Sequence, residues 1–338
     1  MAKRLVAGKL PRNLLASLLD RYAGPAAGVI LGPRIGEDAA VIDVADRYLV
    51  VSTDPITFTT AEIGYYAVII NANDVVTCGA RPRWFLMTVL VPEGSTDAEV
   101  ETLFQQVDRA CRQFEVGLIG GHTEISSGLD RPIVIGTMIG EVAKDRLVLT
   151  SGAQVGDDLL LTKGIAVEGT AILAREREGV LRSRGYAGTF IERVQRFLYD
   201  PGISVVGEAL VAVETARVSA MHDPTEGGLS GGLYELAEAA GVGLEVHQSA
   251  VAILDETATL CREFHLDPLG LIASGALLIT CDPTDTDRLI SAVRATGVVI
   301  HRIGRVVPQG RGVVLTGPAG ETPLPAFERD EIVKIFEG

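Results

Sequence analysis

Trp84-Phe85-Leu86-Met87-Thr88-Val89-Leu90-Val91 is an almost uninterrupted apolar run. Arg81-Pro82-Arg83 precedes it and Pro92-Glu93-Gly94 follows. A run this short, rich in β-branched and aromatic residues and closed by turn residues, reads as a buried strand rather than a membrane span. On its amino-terminal side, Glu62–Cys78 has helical spacing, with Ile63, Ala67, Ile70 and Asp74 on one broad face. On its carboxyl-terminal side, Thr96 and Glu99 have the spacing of a capping box. Val100, Leu103, Val107, Ala110 and Phe114 then mark a helix that stops before Gly117. Ala39–Val44 and Tyr48–Ser52, joined by a tight turn at Asp46-Arg47, are strands, and so is Pro132–Glu141. Strands alternating with helices in this order predict an α/β (α+β) domain with helices on one side of a sheet.

The second half repeats the style but not the sequence. A turn-rich stretch over Thr150–Gly156 precedes the strand Leu159–Thr162. It divides the chain into expected domains 1–150 and 151–338. Helices are expected at Glu168–Glu178, Val205–Thr215, Gly231–Ala240 and Thr284–Ala295. Strands are expected at Val242–Val246, Ala276–Thr280, Val298–Val306 and Gly312–Leu315. Leu10–Tyr22 is a short amphipathic helix. Arg182–Tyr199 fits either a helical insertion or a mobile lid.

Composition narrows the function classes. With 338 residues, 47% hydrophobic and 22% charged, the chain has the make-up of a globular protein of about two domains. Its net charge of −14 disfavours non-specific nucleic-acid binding. No signal-peptide pattern or long apolar span appears, so a cytoplasmic protein away from the membrane is expected. Cys78, Cys111, Cys261 and Cys281 are widely spaced and form no zinc or disulfide pattern.

The chemistry-bearing residues gather in a few short runs. Gly36-Glu37-Asp38-Ala39-Ala40 sits where a loop enters a strand. Its Asp38 can bind a metal, cap a turn or face water. Asp54 stands at the end of an apolar strand. Asp74 lies three residues after Asn71 inside an apolar helix, where an unpartnered carboxylate is costly. Gly120-Gly121-His122-Thr123-Glu124 follows the strand-like Val116–Ile119. There Gly120 and Gly121 can approach a ligand, His122 can hydrogen-bond a phosphate or substrate, and Glu124 can reach a cation. Asp223-Pro224-Thr225-Glu226-Gly227-Gly228 leads into a helix, so Asp223 can orient a reacting group and the amides of Gly227 and Gly228 can meet an anion. Lys163, in Thr162-Lys163-Gly164, can serve as a phosphate point charge. No GxxxxGK[ST] or GxGxxG run occurs. Together these residues suit Mg²⁺ held by oxygen ligands, with glycine loops around a polyphosphate.

In order and separation, Gly36–Ala40, Ser52-Thr53-Asp54, Asn73-Asp74 with Gly79-Ala80-Arg81-Pro82, Gly120–Glu124 and His222–Gly228 resemble the aminoimidazole ribonucleotide (AIR) synthetase superfamily, the PurM-like fold. Its members include thiamine-monophosphate kinase, selenophosphate synthetase, the formylglycinamidine synthetases and the hydrogenase-maturation protein HypE. The resemblance implies two α/β domains, with the amino-terminal sheets of two subunits pairing into a barrel-like interface of a homodimer. It implies an ATP- and Mg²⁺-dependent enzyme that phosphorylates a substrate or activates an amide-like oxygen. Asp38, Asp54 and Asp74 would hold the metal, Gly120-Gly121 would approach the nucleotide, and Asp223 would belong to the carboxyl-terminal contribution. The acceptor would be a small molecule or a group on a partner protein. A non-enzymatic nucleotide-binding scaffold is the reading from another class.

The pattern looks most like HypE through Asp223-Pro224-Thr225 with Gly227-Gly228. HypE-type enzymes carry a carboxyl-terminal cysteine whose carbamoyl group is dehydrated to a thiocyanate. The last cysteine here is Cys281, so the resemblance implies a thiol supplied by another protein. His122 stands where thiamine-monophosphate kinases usually place Asp, which leaves Glu124 as the substitute metal ligand. Lys9 resembles the mobile phosphate-binding lysine of selenophosphate synthetases, whose reactive cysteine has no counterpart nearby.

Overall fold

The computed structural model describes Leu5 and residues 9–57, 59–318 and 320–336. A first helix, α1 (Arg12–Tyr22), buries none of its residues and begins after Pro11. By its contacts the chain divides into two compact units. One comprises Ala27–Leu31 and Asp38–Leu147. The other takes in Gly32–Glu37 and the described residues of Met1–Ala26 and Val148–Gly338.

The first unit follows the strand–helix order expected from the sequence. It contains β1 (Val29–Leu31), β2 (Ala40–Val44), β3 (Arg47–Ile56), α2 (Ile63–Thr77), β4 (Arg81–Pro92), α3 (Asp97–Gln113), β5 (Gly117–Ser126) and β6 (Ile133–Ala143). The strands form one mixed sheet in the order β1-β2-β3-β6-β4-β5. Only β4 and β5 pair in parallel, because α3 carries the chain back between them. The Thr96 capping box forms with both reciprocal hydrogen bonds. Every residue of α2 is buried, since sheet and α3 cover it on opposite sides. That is why its sequence is apolar nearly all round.

The second unit holds β7 (Asp158–Thr162), α4 (Val167–Glu176), α5 (Glu178–Ser183), α6 (Gly188–Gln195), α7 (Val206–Thr215), β8 (Val218–His222), α8 (Gly228–Ala240), β9 (Gly243–His247), α9 (Asp255–Phe264), β10 (Leu278–Cys281), α10 (Thr286–Ala295), β11 (Ile300–Val307), β12 (Val313–Gly317) and β13 (Gly320–Pro323). Its seven strands run β13-β12-β9-β11-β7-β10-β8. Leu229, Leu233 and Leu236 of α8 pack with Leu159, Leu244, Leu278 and Ile303 of the sheet in one core. Arg182–Tyr199 is helical: α5, α6 and a short 3-10 turn pack against α4.

One expectation is corrected. Neither sheet closes into a barrel. The first ends in β1 and β5 and the second in β13 and β8, with no pairing between the ends. A barrel needs its first and last strands hydrogen-bonded to each other, and here both sheets stay open. Among the described residues, no helix is long and apolar enough to cross a membrane.

Candidate functional site

In the first unit, α2 and β3 are joined by buried polar side chains. Asn71 accepts the Asp54 N–H at 2.8 Å and donates to the Ala67 and Asp54 carbonyls at 2.8 and 3.3 Å. Its amide therefore satisfies the backbone of the residue that carries the candidate carboxylate. Gly136 of β6, opposite Asp54, is glycine because a Cβ there would overlap the Asn71 amide. Asp74, 5% exposed, accepts the Ser52 hydroxyl at 2.5 Å. Asp54 itself is half-buried, as is Asp38. Ala40 pairs with Val51, so Asp38 and Asp54 lie toward the same end of the β2–β3 ladder. Among the described residues, no group of three or more His, Cys, Asp or Glu is arranged to hold a metal. Asp38 and Asp54 remain fitting oxygen donors for Mg²⁺, which commonly takes one or two carboxylates and completes its shell with water and phosphate.

Gly120, Gly121, His122 and Glu124 lie within edge strand β5, not in a loop after it. Gly121 has φ +145°, and a Cβ on it would overlap the Met87 carbonyl of β4. A Cβ on Gly120 would find its nearest atom at 3.8 Å. Crowding by the neighbouring strand therefore accounts for Gly121. His122 Nε2 and Glu124 Oε2 are 3.4 Å apart on one face, with side chains 67% and 58% exposed. A cleft of about 450 Å³ in this unit is lined by Ile63, Leu103, Gln106, Asp130 and Arg131 and holds none of the candidate residues.

The second unit contains the more constrained polar cluster. Asp223 is 2% exposed and starts the turn between β8 and α8. The Gly227 amide donates to Asp330 Oδ2 at 2.7 Å. Gly228 has φ +67°, and a Cβ on it would stand 2.5 Å from the Leu269 carbonyl oxygen. So the amide of Gly227 and the space beside Gly228 are already taken by the protein's own groups.

Before the turn, His222 Nε2 lies 3.1 Å from Glu235 Oε2. Glu235 Oε1 is 3.1 Å from Arg12 Nη2 and 3.6 Å from Lys9 Nζ. Burial opposes the Glu235 charge, but the His222 hydrogen bond and the Lys9 and Arg12 cations outweigh it and hold its pKa at about 2. The Lys9 amide also donates to Glu226 at 3.1 Å. Lys163 is buried rather than solvated. Its ammonium is 2.8 Å from Glu208 Oε1 and donates to the Ser204 carbonyl at 2.5 Å, with both side chains of the pair buried.

Sequence reasoning gave Asn71 and Glu168 no site role of their own and passed over Glu208, Glu235 and Asp330. Burial pushes the Glu168 carboxyl up to about 7, and the Asp330 charge adds to this. Burial raises Asp330 to about 6, against three backbone N–H bonds that favour its charge. A glutamate two residues ahead of the Thr170-Ala171-Ile172 run was the available sign, since it sits on an otherwise apolar helix start.

Residues 36–142 match the N-terminal domain of AIR synthase related proteins, and residues 154–317 match their C-terminal domain. A hydrogenase expression/formation protein of Methanocaldococcus jannaschii is 27% identical over 289 residues, covering 82% of each chain. Carbamoyl dehydratase HypE of Cupriavidus necator is 30% identical over 291 residues, 83% of this chain and 80% of the relative. A crystal structure of the hydrogenase maturation protein HypE in complex with ATP superposes with a TM-score of 0.73. It is 25% identical and covers 96% of this chain and 98% of that one.

Proposed function

This chain belongs to the AIR synthase related family, and from that premise we propose that it is an ATP-using enzyme of the HypE type. In this reading it dehydrates a thiocarboxamide carried by a partner protein. The observation that carries the proposal is the likeness to carbamoyl dehydratase HypE across four-fifths of both chains. In this reading the acceptor thiol is carried by the partner, not by one of the four cysteines in this sequence. All four in this sequence are buried, and burial pushes the thiols of Cys111, Cys261 and Cys281 up to about 11, 12 and 11. None of these three offers a reactive thiolate.

The reaction balances as follows. The carboxamide oxygen attacks the terminal phosphorus of ATP, and ADP leaves. The C–O bond then breaks, the oxygen departs as phosphate, and nitrogen loses two protons to give S–C≡N. Asp223 is the candidate to take an N–H proton, because a rigid Pro224 turn holds its carboxylate. Asp38 and Asp54 would hold Mg²⁺, which neutralises phosphate charge when bound. Glu124 with His122, and Asp74, stand as further candidates whose metal or phosphate contacts await substitution. Exposed Leu118, Ile119 and Ile125 on edge strand β5 support self-association as a homodimer, which light scattering across concentrations tests.

The experiment is incubation of the full chain with ATP, Mg²⁺ and an S-carbamoyl-cysteine peptide, read by mass spectrometry. Loss of one water from the peptide, with equal ADP and phosphate, is expected. Asp223→Asn should lower kcat by about 10²-fold or more while ATP affinity, measured by calorimetry, persists. A stable phosphorylated product instead supports a small-molecule phosphotransferase. ATP binding without turnover on any acceptor supports a scaffold.

A further inference from the structure

Three backbone N–H groups from three separate stretches of chain converge on one buried carboxylate. Gly227, in the turn before α8, donates to Asp330 Oδ2 at 2.7 Å. Ile332, in the C-terminal 3-10 helix Glu331–Ile335, donates to Oδ1 at 2.7 Å, and Ile272, in the loop before β10, donates to Oδ1 at 3.2 Å. The same loop meets the turn directly, since the Ala273 N–H donates to the Thr225 carbonyl at 3.2 Å. Asp330 is 3% exposed. Its carboxyl neighbour Glu168, in the first turn of α4, is 5% exposed, and Glu168 Oε2 has no hydrogen-bond partner among the described residues.

We infer that Asp330 is a positioning residue that, together with Glu168, holds the Asp223–Gly228 turn closed while the pair keeps a proton and releases it when the proton is lost. Glu168 feels the Asp330 charge, and two buried carboxyls within range of each other are costly to ionise together. With one proton present, Glu168 is the better place for it, because Asp330 has three N–H donors to meet a charge, whereas Glu168 has only Ser274 beside it and its Oε2 makes no hydrogen bond among the described residues. Both groups bind protons more tightly folded than unfolded, at about 7 against 4.5 for Glu168 and about 6 against 3.8 for Asp330. Their stabilisation is therefore complete below the unfolded values and is lost as pH rises through about 6 to 7.

Other charged groups on the surrounding elements include Asp223 and Glu226 of the turn, Asp267 of the loop, Arg175 and Glu176 at the end of α4, Arg329 next to Asp330, and Glu331 with Lys334 of the 3-10 helix. Glu226 adds to the rise at Asp330. Glu331 is occupied by Lys334 at 2.6 Å and by the Asp267 N–H at 2.9 Å. Opening of the turn lets water reach both carboxyls and so is linked to proton release. Its consequence, that Asp223 is set in place only while the turn is closed, rests on the HypE-type reading.

Hydrogen–deuterium exchange of the full chain, read by mass spectrometry from about pH 5 to about pH 8 and corrected for intrinsic rates, tests this without any substrate. Peptides spanning residues 223–228 and 270–274 should open up to about tenfold more per pH unit between about pH 5 and about pH 7 and level off above that. Glu168→Gln and Asp330→Asn should each flatten that slope. Protection independent of pH in the wild type, or variants that lose protection equally at every pH with the slope intact, would overturn the inference. If Asp330→Asn does not fold, Glu168→Gln decides, because it leaves all three N–H bonds to Asp330 in place. In turnover assays E168Q should keep kcat at alkaline pH where the wild type declines. Absence of turnover with every acceptor would sink the HypE-type reading and leave the exchange result standing.

Discussion

Gly120-Gly121 and Gly227-Gly228 look alike in the sequence and occupy opposite settings. The first pair lies on an exposed edge strand, the second in a turn sealed by Asp330 and the loop around Leu269. In both pairs the second glycine is demanded by the protein's own backbone, the Met87 carbonyl in one case and the Leu269 carbonyl in the other. A glycine pair therefore reports crowding, and the polar groups beside it determine what chemistry is possible. His122 and Glu124 face solvent, where a carboxylate and an imidazole keep ordinary freedom. Asp223, Glu168 and Asp330 are buried, where every charge is consequential.

Substitutions break or sharpen this contrast. Gly121→Ala should have the largest effect, more than about 4 kcal/mol, because its methyl would displace the β4 backbone. Gly120→Ala beside it should stay within about 1 kcal/mol. Urea unfolding of the two variants measures the difference, and equal losses would remove the crowding account. In the sealed region, Lys163→Ala should cost about 3–5 kcal/mol by leaving Glu208 charged and unpaired in the interior. A loss under about 1 kcal/mol would show the pair to be hydrated after all. At the small end, His122→Ala should change stability by no more than about 0.5 kcal/mol. Because stability is spared, any loss of ATP affinity in H122A would report ligand contact on the exposed strand directly.

The motifs that mark the family are local, and each was readable where it stood. Asp223-Pro224-Thr225 with Gly227-Gly228, in order after Gly36–Ala40 and Asn73-Asp74, led to the AIR synthetase superfamily, and the matches over residues 36–142 and 154–317 fall within that family. The strand Gly117–Ser126 was cut short in the sequence reading because Gly120-Gly121 carries the signature of a turn. β4 overrides that signature by pairing along the whole run. Asp255–Phe264 was passed over as a helix, since it starts without a capping side chain. Lys163 was read as a candidate phosphate charge, and its buried pairing was not legible because its partner Glu208 lies in α7, 45 residues further on.

Period, capping and turn chemistry act between residues a few positions apart, so the sequence by itself determined the alternation of strands and helices, the Thr96 cap and the acid-and-glycine motifs. Burial and ionisation depend on which distant segments meet. Only the tertiary structure decided that the sheets are open, that Lys163 is spent on Glu208, and that Asn71 braces Asp54. The same holds for Asp330, which reaches Gly227 across 103 positions of sequence. A carboxylate's pKa follows from the atoms that exclude water around it, and for Glu168 and Asp330 those atoms come from stretches of chain that no local pattern connects.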